Sequence, residues 1–401
     1  MLLPCIRCQS LRYHRDGRKL SAFPDNTFMK REHSMSHEKF PRSGRQFFEN
    51  IGIAAAVLLT VAGTVLSMTV FRAPGFHADL DFLMALQNFR EYTGDLLTGF
   101  FQMVTWCGSS YLTMPVLVLV YFGISTRLGS FLLQCVGYSS MLNGFLKLTV
   151  SALRPWVRDE LIVPPGDAKI AATGYSFPSG HSTNATAVYG SLALMTGSRY
   201  RWLTAGFVCL LLLVLFSRNY LGVHTPEDVL IGFASTLGVV LLMCKIFRWT
   251  DTGDCRARGR RKWLLFLISI VISVLSAVCF ECKSYPEVRD AAGHPIADPA
   301  RLVQDSSRVI GLYLGATSVM LFRHYFPGYQ AENAPRNERV LMTLGAGFLM
   351  LLLHLGMPPV LSLVFPAGVA GVLSVFVMVF AVFGVFPVLA AGREGGTDPA
   401  K

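Results

Sequence analysis

Three separated stretches of this 401-residue chain carry residues able to do chemistry together. The first is Lys147-Leu148-Thr149-Val150-Ser151-Ala152-Leu153-Arg154-Pro155. Its two cations are seven positions apart, two helical turns, and so share a face. For this pair alone, snorkelling of long basic side chains to a membrane interface is an equally good account. The second is Tyr175-Ser176-Phe177-Pro178-Ser179-Gly180-His181-Ser182. Here Ser179 can cap a helix that begins at Gly180, and a glycine lets a ligand approach the backbone closely. Unpaired N–H groups and the positive end of the helix dipole make such a start an anion site. Taken alone, the string is a turn before a helix, and His181 an interfacial histidine without a role. The third is Ser217-Arg218-Asn219-Tyr220-Leu221-Gly222-Val223-His224-Thr225-Pro226-Glu227-Asp228. Thr225 as N-cap, Pro226 as first helical residue and Asp228 as third make a helix-start signature, with Asp228 able to reach back in a capping box. Capping does not exclude a second role. A carboxylate bound to one imidazole nitrogen of His224 fixes the tautomer and leaves the other nitrogen free to attack.

Together these pieces offer three cations (Lys147, Arg154, Arg218), a helix start at Ser179 and Gly180, two histidines and one carboxylate. Charged groups in a membrane-embedded setting are costly unless they meet one another or an anionic ligand. Three cations against one carboxylate leave positive charge for an oxyanion such as phosphate.

The elements that must position these residues are membrane helices. Of the residues, 52% are hydrophobic and 15% charged, a balance that fits an integral membrane protein better than a soluble enzyme. The net charge of +11 is scattered over short loops and one N-terminal segment, which argues against a nucleic-acid partner. Apolar runs predict six spans, Ile51–Phe71, Tyr111–Ser125, Leu128–Val150, His181–Met195, Trp202–Ser217 and Asp228–Phe247. Four more follow, at Trp263–Phe280, Val309–Phe322, Val340–Leu355 and Ala367–Leu389. The mixed stretch 78–105 reads either as an amphipathic helix on the outer membrane surface or as an ordinary packed helix outside it. The organisation expected is a basic, disordered cytoplasmic tail (1–47), a core (48–250), a basic cytoplasmic linker (251–262), an accessory membrane region (263–391) and a polar tail (392–401). The N-terminal tail is a candidate for binding anionic inner-leaflet lipid. An inside N-terminus places Arg127, Arg199, Arg201, the basic residues of 248–262, Arg323 and Arg336 on the cytoplasmic side, in line with the positive-inside rule, and residues 152–180 and 218–227 outside. The nine cysteines include two C-x-x-C pairs without a second pair at zinc-site spacing, and most read as small apolar residues. A bridge between Cys279 and Cys282, about one turn apart, would constrain little.

The pattern Lys147-(six residues)-Arg154-Pro155, Pro178-Ser179-Gly180-His181 and Ser217-Arg218-(five residues)-His224-(three residues)-Asp228 resembles the tripartite signature of the type 2 phosphatidic acid phosphatase and vanadium haloperoxidase superfamily. All three motifs match in order, over roughly residues 50–250. The resemblance implies an all-α, polytopic membrane bundle, a six-helix phosphatase core plus about four C-terminal transmembrane helices. It implies a metal-independent phosphohydrolase without cofactor. In it His224 would be the nucleophile forming a phosphohistidine, Asp228 its orienting partner and His181 the general acid. Lys147, Arg154, Ser179, Gly180 and Arg218 would hold the phosphoryl oxygens. The substrate expected is a lipid phosphate or an isoprenyl diphosphate such as undecaprenyl diphosphate, met from the bilayer at the outer face. The short loops resemble bacterial members, which implies a bacterial plasma membrane. The stretch Arg154–Asp159 beside the pocket is a candidate head-group contact, with Trp156 equally readable as an interface anchor. The competing reading is a lipid or phosphate transporter, or a scaffold, using the same cationic pocket without hydrolysis.

Overall fold

The computed structural model describes residues 42–71, 73, 76–166, 168, 174–285, 288–289, 295–297 and 299–391. The expected N-terminal tail therefore lies outside the described residues up to position 41, and its last residues belong to a helix. The expected polar tail 392–401 and the first C-x-x-C pair, Cys5 and Cys8, also lie outside the described residues. The N-terminal helix, α1 (Arg42–Thr69), is apolar and turns Leu58, Val61 and Val65 outward. The hydroxyls of Thr60, Thr64 and Thr69 each donate to the carbonyl four residues back, which satisfies them without water.

Next come α2 (Ala78–Tyr92), α3 (Thr98–Trp106), α4 (Ser110–Val118, continuing as helix through Ile124) and α5 (Thr126–Val150). After a long loop, α6 starts at Gly180 (Gly180–Ala185) and stays helical to Thr196. Gly197, at φ 54° and ψ −150°, reverses the chain, and α7 (Arg201–Tyr220) returns antiparallel beside it, as the bond between the Thr196 and Thr204 hydroxyls shows. Then follow α8 (Pro226–Asp251), α9 (Cys255–Cys282), α10 (Pro299–Tyr325), α11 (Arg336–Ser362) and α12 (Ala367–Val379, helical through Ala391). Among the described residues the remaining regular structure is slight. It comprises a short antiparallel ladder of Val288–Arg289 with Pro295–Ala297, and the single turn Pro155–Arg158. The fold is all-α.

Among the described residues, six helical runs can cross a bilayer by length and composition, and seven when α3 and α4, bent by 48°, are taken as one. The run 180–220 is one of these, although it contains the reversal at Gly197. Every expected span coincides with a helix. Two of them, α5 and α10, are long enough but more polar, because they carry inward-facing groups: Gln134, Ser139 and Asn143 on α5, Thr317 and Ser318 on α10. Such side chains face protein rather than lipid, Gln134 Nε2 donating to the Ala316 carbonyl and Thr317 Oγ1 to that of Tyr313. The basic stretch is not a linker in its conformation. Only Thr252–Asp254 interrupt the helices, Gly253 turns the chain at φ 85°, and Asp254 caps α9 by accepting from the Ala257 N–H at 2.7 Å. Arg256 to Lys262 thus form the first two turns of α9. Cys279 and Cys282 are free and exposed near its end.

Helix α5 is the axis of the bundle. Its Leu132, Leu133 and Val136 share one apolar cluster with Leu117, Val188 and Val214 of the first helices and with Leu312, Ala316, Val379 and Phe383 of the last. Glycines let helices approach closely, at the following two places among others. Gly63 and Gly238 bring α1 onto α8, where an added Cβ would lie 2.2 Å from Ile231 and 2.8 Å from Ala56 respectively. Gly311 and Gly315, four apart, bring α10 against α12, 2.1 Å from the Val372 carbonyl and 3.0 Å from Val379. The C-terminal helices are tied on by polar bonds as well: Tyr121 Oη to the Phe383 carbonyl at 2.9 Å, Tyr329 Oη to that of Phe122 at 2.7 Å.

Candidate active site

The site forms where α5 and α7 end and α6 and α8 begin. Helix α5 stops at Ser151, whose φ of 52° turns the chain, and Arg154 then sits extended ahead of the Pro155 turn. Only 8% exposed, Arg154 is held by its Nε on the Gly174 carbonyl at 2.8 Å and by Nη1 on that of Val223 at 3.0 Å. Lys147, one turn before the end of α5, donates to the carbonyls of Tyr175 at 2.8 Å and Pro178 at 3.0 Å. Arg218, in the last turn of α7, is 4% exposed and donates to Thr105 of α3, while its buried Nε has no partner among the described residues. An unspent donor on a buried guanidinium is what an oxyanion receptor offers.

Ser179 is fully buried and caps α6, its Oγ accepting from the Ser182 N–H at 3.4 Å. Its own N–H donates to the Asp228 carbonyl at 2.9 Å, which sets the start of α6 against the start of α8. Gly232, one turn along α8, makes this contact possible: a Cβ there would lie 2.8 Å from the Ser179 carbonyl oxygen. At Gly180 an added Cβ would meet nothing within 4 Å, so the backbone at the start of α6 is open to close approach on that side.

His224 lies in the tight turn between α7 and α8 and is 2% exposed. Its Nδ1 is 3.3 Å from Asp228 Oδ2 and its Nε2 is 3.0 Å from Arg154 Nη1. A guanidinium can only donate, so Nε2 is the acceptor and the ring proton sits on Nδ1, towards the carboxylate. The same Oδ2 accepts from the Thr225 N–H at 3.1 Å and from Ser176 Oγ. Asp228 therefore caps α8 and orients His224 at once. Burial first, then Arg154, Arg218 and Lys147, hold the His224 imidazole well below its ordinary range. Burial also lowers Arg154, to about 10, against the opposing pull of Asp228, so it stays charged at neutral pH. His181, at the start of α6 and half-buried, is within electrostatic reach of Arg218, His224, Arg154 and Lys147. The structure thus gathers Lys147, Arg154, Ser179, Gly180, His181, Arg218, His224 and Asp228 where these four helices end or begin.

Several supporting residues carried no sequence signal, Thr105 and Asn143 because they lie outside the three stretches and Ser176 because nothing in its own stretch gives it a partner. They are Ser176 on Asp228, Thr105 on Arg218, and Asn143, which bonds the Pro178 carbonyl at 3.3 Å and Thr183 Oγ1 at 3.0 Å. Asn219, which donates to the His224 carbonyl at 2.9 Å, was within reach, five residues from the histidine it braces. The stretch after Arg154 is otherwise engaged. Arg158 pairs with Asp79 of α2 and Trp156 packs beside Phe101 and Tyr220, with Arg154 5.7 Å over its ring. Helix α2 is accordingly a packed helix on its inner side, with Asp79, Leu80, Leu83 and Arg90 buried. Its outer side still exposes Phe82 and Phe89.

Comparison with known proteins finds matches over the same part of the chain. The family model described as PAP2 superfamily matches residues 128–251, from α5 through α8. Phosphatidylglycerophosphatase B of Bacillus subtilis is 31% identical over 165 residues, 38% of this chain and 73% of that protein. An undecaprenyl-diphosphatase of Sulfolobus acidocaldarius is 28% identical over 160 residues, 40% of this chain and 72% of that protein. A crystal structure of a transmembrane PAP2-type phosphatidylglycerolphosphate phosphatase from Bacillus subtilis aligns at 27% identity, covering 49% of this chain and 98% of that one, with a TM-score of 0.40. With the three motifs brought to one cup and a relative matched over most of its length, the chain belongs to the PAP2 superfamily.

Proposed function

We propose that this protein is an integral membrane lipid phosphatase that works through a phosphohistidine, without metal, at the outer face of a bacterial plasma membrane. The single observation that carries this reading is the position of His224, with Nδ1 on Asp228 and Nε2 turned to Arg154. The lone pair of Nε2 attacks phosphorus, and the bond from phosphorus to the lipid oxygen breaks. His181 supplies the proton that this oxygen takes up. A water then gives its proton back to His181 and attacks the same phosphorus, the N–P bond breaks, and inorganic phosphate leaves. Arg154, on substrate binding, gives up the imidazole for a phosphoryl oxygen. With Lys147, Arg218, the Ser179 side chain and the Gly180 N–H it neutralises charge that grows in transfer. Three fixed cations do the electrostatic work that Mg²⁺ does elsewhere. The basic residues at the opposite ends of the helices favour an inside N-terminus, which sets the cup outside.

The substrate class is a phosphate monoester or diphosphate on an apolar tail, phosphatidate and undecaprenyl diphosphate among them. Relatives named for two such substrates support the class and do not choose within it. The test is phosphate release by purified protein in the presence of EDTA, over phosphatidate, sphingosine phosphate, undecaprenyl diphosphate and lipid A-like phosphates. Release from at least one of these, undiminished by EDTA, is the expected result. Absence of release from all, with tight binding of any, would favour the transporter or scaffold reading.

The depressed imidazole has a consequence for pH dependence. His224 attacks only when neutral, and a lowered pKa keeps it neutral further into acid. In kcat/KM, which reports the free enzyme, the acid limb owed to His224 is expected below the ordinary imidazole value of about 6.5. Arg154→Gln removes a cation that opposes protonation, so its limb moves to higher pH even as the overall rate falls. A limb unmoved by Arg154→Gln would mean that the two groups are not coupled as the 3.0 Å contact requires.

A further inference from the structure

A cavity of about 610 Å³, with charged and apolar walls, lies at the other end of the bundle, lined by the N-terminal half of α5, the ends of α8 and α10, the first turns of α9 and the segment 327–332. Thr126 opens it and Lys147 of the catalytic cup is 21 positions further along the same helix, roughly 30 Å away. The cavity is thus near the opposite membrane surface. Core and C-terminal helices build it together.

Its charges are unbalanced. Four cations line it, Arg127, Arg258, Lys262 and Arg323, with two acids, Asp251 and Glu332. Both acids have partners: Asp251 is 3.2 Å from Arg127, and Glu332 Oε1 accepts from Ser125 Oγ at 2.6 Å and the Arg127 N–H at 3.0 Å. Arg323 leans on the Tyr329 carbonyl at 2.8 Å. Arg258 and Lys262, one turn apart on α9, add positive charge that these acids do not match, and the buried Nε of Arg258 has no partner among the described residues. The inner wall is Gln134, 1% exposed, whose Nε2 donates to the Ala316 carbonyl at 2.6 Å while its buried Oε1 accepts from nothing described. Phe247, Val319 and Met320 supply apolar wall between helices. A ligand that satisfies all of this carries a phosphate for the cations and a hydroxyl for Gln134.

We propose that this cavity binds a phosphoglycerol group, the head of an anionic phospholipid in the leaflet opposite the catalytic cup. Basic pockets between membrane helices take phosphate head groups in this way, and the hydroxyl acceptor on Gln134 adds a preference for a polyol head over a quaternary ammonium one. This gives the C-terminal helices a definite role, since α9 and α10 complete a lipid site that the first eight helices only begin. The inference does not depend on hydrolysis at the other end.

The test is native mass spectrometry of the purified full chain titrated with dioleoylphosphatidylglycerol or dioleoylphosphatidylcholine, with sn-glycerol 3-phosphate as competitor. The wild type is expected to hold the glycerol lipid at concentrations where the choline lipid is lost. Arg258→Gln combined with Lys262→Gln is expected to weaken that binding roughly tenfold or more, as loss of two cations near a head group implies. Arg258→Lys with Lys262→Arg retains it. Competition by glycerol 3-phosphate would identify the soluble phosphate ester as a ligand of the same site, and its failure would assign the site to lipid. Equal retention of both lipids by the wild type overturns the proposal, as does unchanged binding in the double glutamine variant with an unaltered melting midpoint. Should that variant not fold, Gln134→Leu decides: loss of the preference for the glycerol head supports the site, and an unchanged preference overturns it.

Discussion

His224→Ala is expected to lower turnover at least about 10³-fold, on the order of 4 kcal/mol in activation free energy. The change removes the nucleophile from a pocket whose other groups remain, so substrate binding survives better than turnover. Brief mixing of the wild type with a ³²P-labelled substrate, followed by quenching in base, is expected to leave label on the protein, since phosphohistidine survives base and is lost in acid. His224→Ala gives no such label. His181→Ala keeps the nucleophile and loses only the proton donor, so it still labels when the leaving group is a good one, such as a phenolate, and then turns over slowly. Label that persists in His224→Ala and disappears in His181→Ala would exchange the two roles. Activity of His224→Ala within tenfold of the wild type would remove covalent catalysis altogether.

Much of the site was legible because its residues stand in short local patterns. Ser179 ahead of Gly180, and Thr225-Pro226 ahead of Asp228, are helix starts that local chemistry alone prescribes, and the structure has both. The spacing of Lys147 and Arg154 aligns them only if one helix runs through both. In the structure α5 ends at Val150, and Arg154 reaches the cup from an extended loop, held by Gly174 and Val223. The pair converges for a reason that helical spacing did not contain. Ser176, Thr105 and Gly232 were invisible for a different reason. Each matters through one partner far away in sequence, and a lone serine, threonine or glycine has no pattern to betray it.

The basic stretch shows how a charge rule can mislead about conformation. Residues 248–262 read by their charge as the boundary of the first unit, but Arg and Ala are good helix formers, and an Asp at 254 can cap. Charge decides where a segment lies relative to lipid, and propensity decides whether it is helical. Here the two coexist in the first turns of α9. The C-terminal helices were legible as spans and silent as to purpose, because apolar sequence specifies insertion and not partners. Their packing on α5, through Ala316 against Gly137 and the shared cluster around Phe383, is a tertiary fact.

Asp228 offers the sharpest division between a structural and a chemical role, because a single oxygen does both. Oδ2 receives the Thr225 N–H, the Ser176 hydroxyl and the Nδ1–H of His224. In Asp228→Asn a carbonyl oxygen can take that position and keep all three bonds, so the cap and the tautomer survive while the charge is lost. The charge is needed when His224 carries a phosphoryl group and its ring becomes cationic amid Arg154, Arg218 and Lys147. Its removal is expected to slow turnover on the order of 10²-fold, the scale of one oriented electrostatic group in a dry site. Asp228→Ala loses the bonds too. Three buried donors are left without an acceptor, each costing about 1–3 kcal/mol, and the imidazole is free to turn its lone pair away from phosphorus. Turnover in Asp228→Ala is expected to fall a further tenfold or more below Asp228→Asn, with a clearly lower melting midpoint, whereas Asp228→Asn melts close to the wild type. Were Asp228→Asn to keep activity within a few-fold of the wild type, the carboxylate would be a helix cap and nothing more, and the positive ring of the intermediate would have to be stabilised from some other side of the cup.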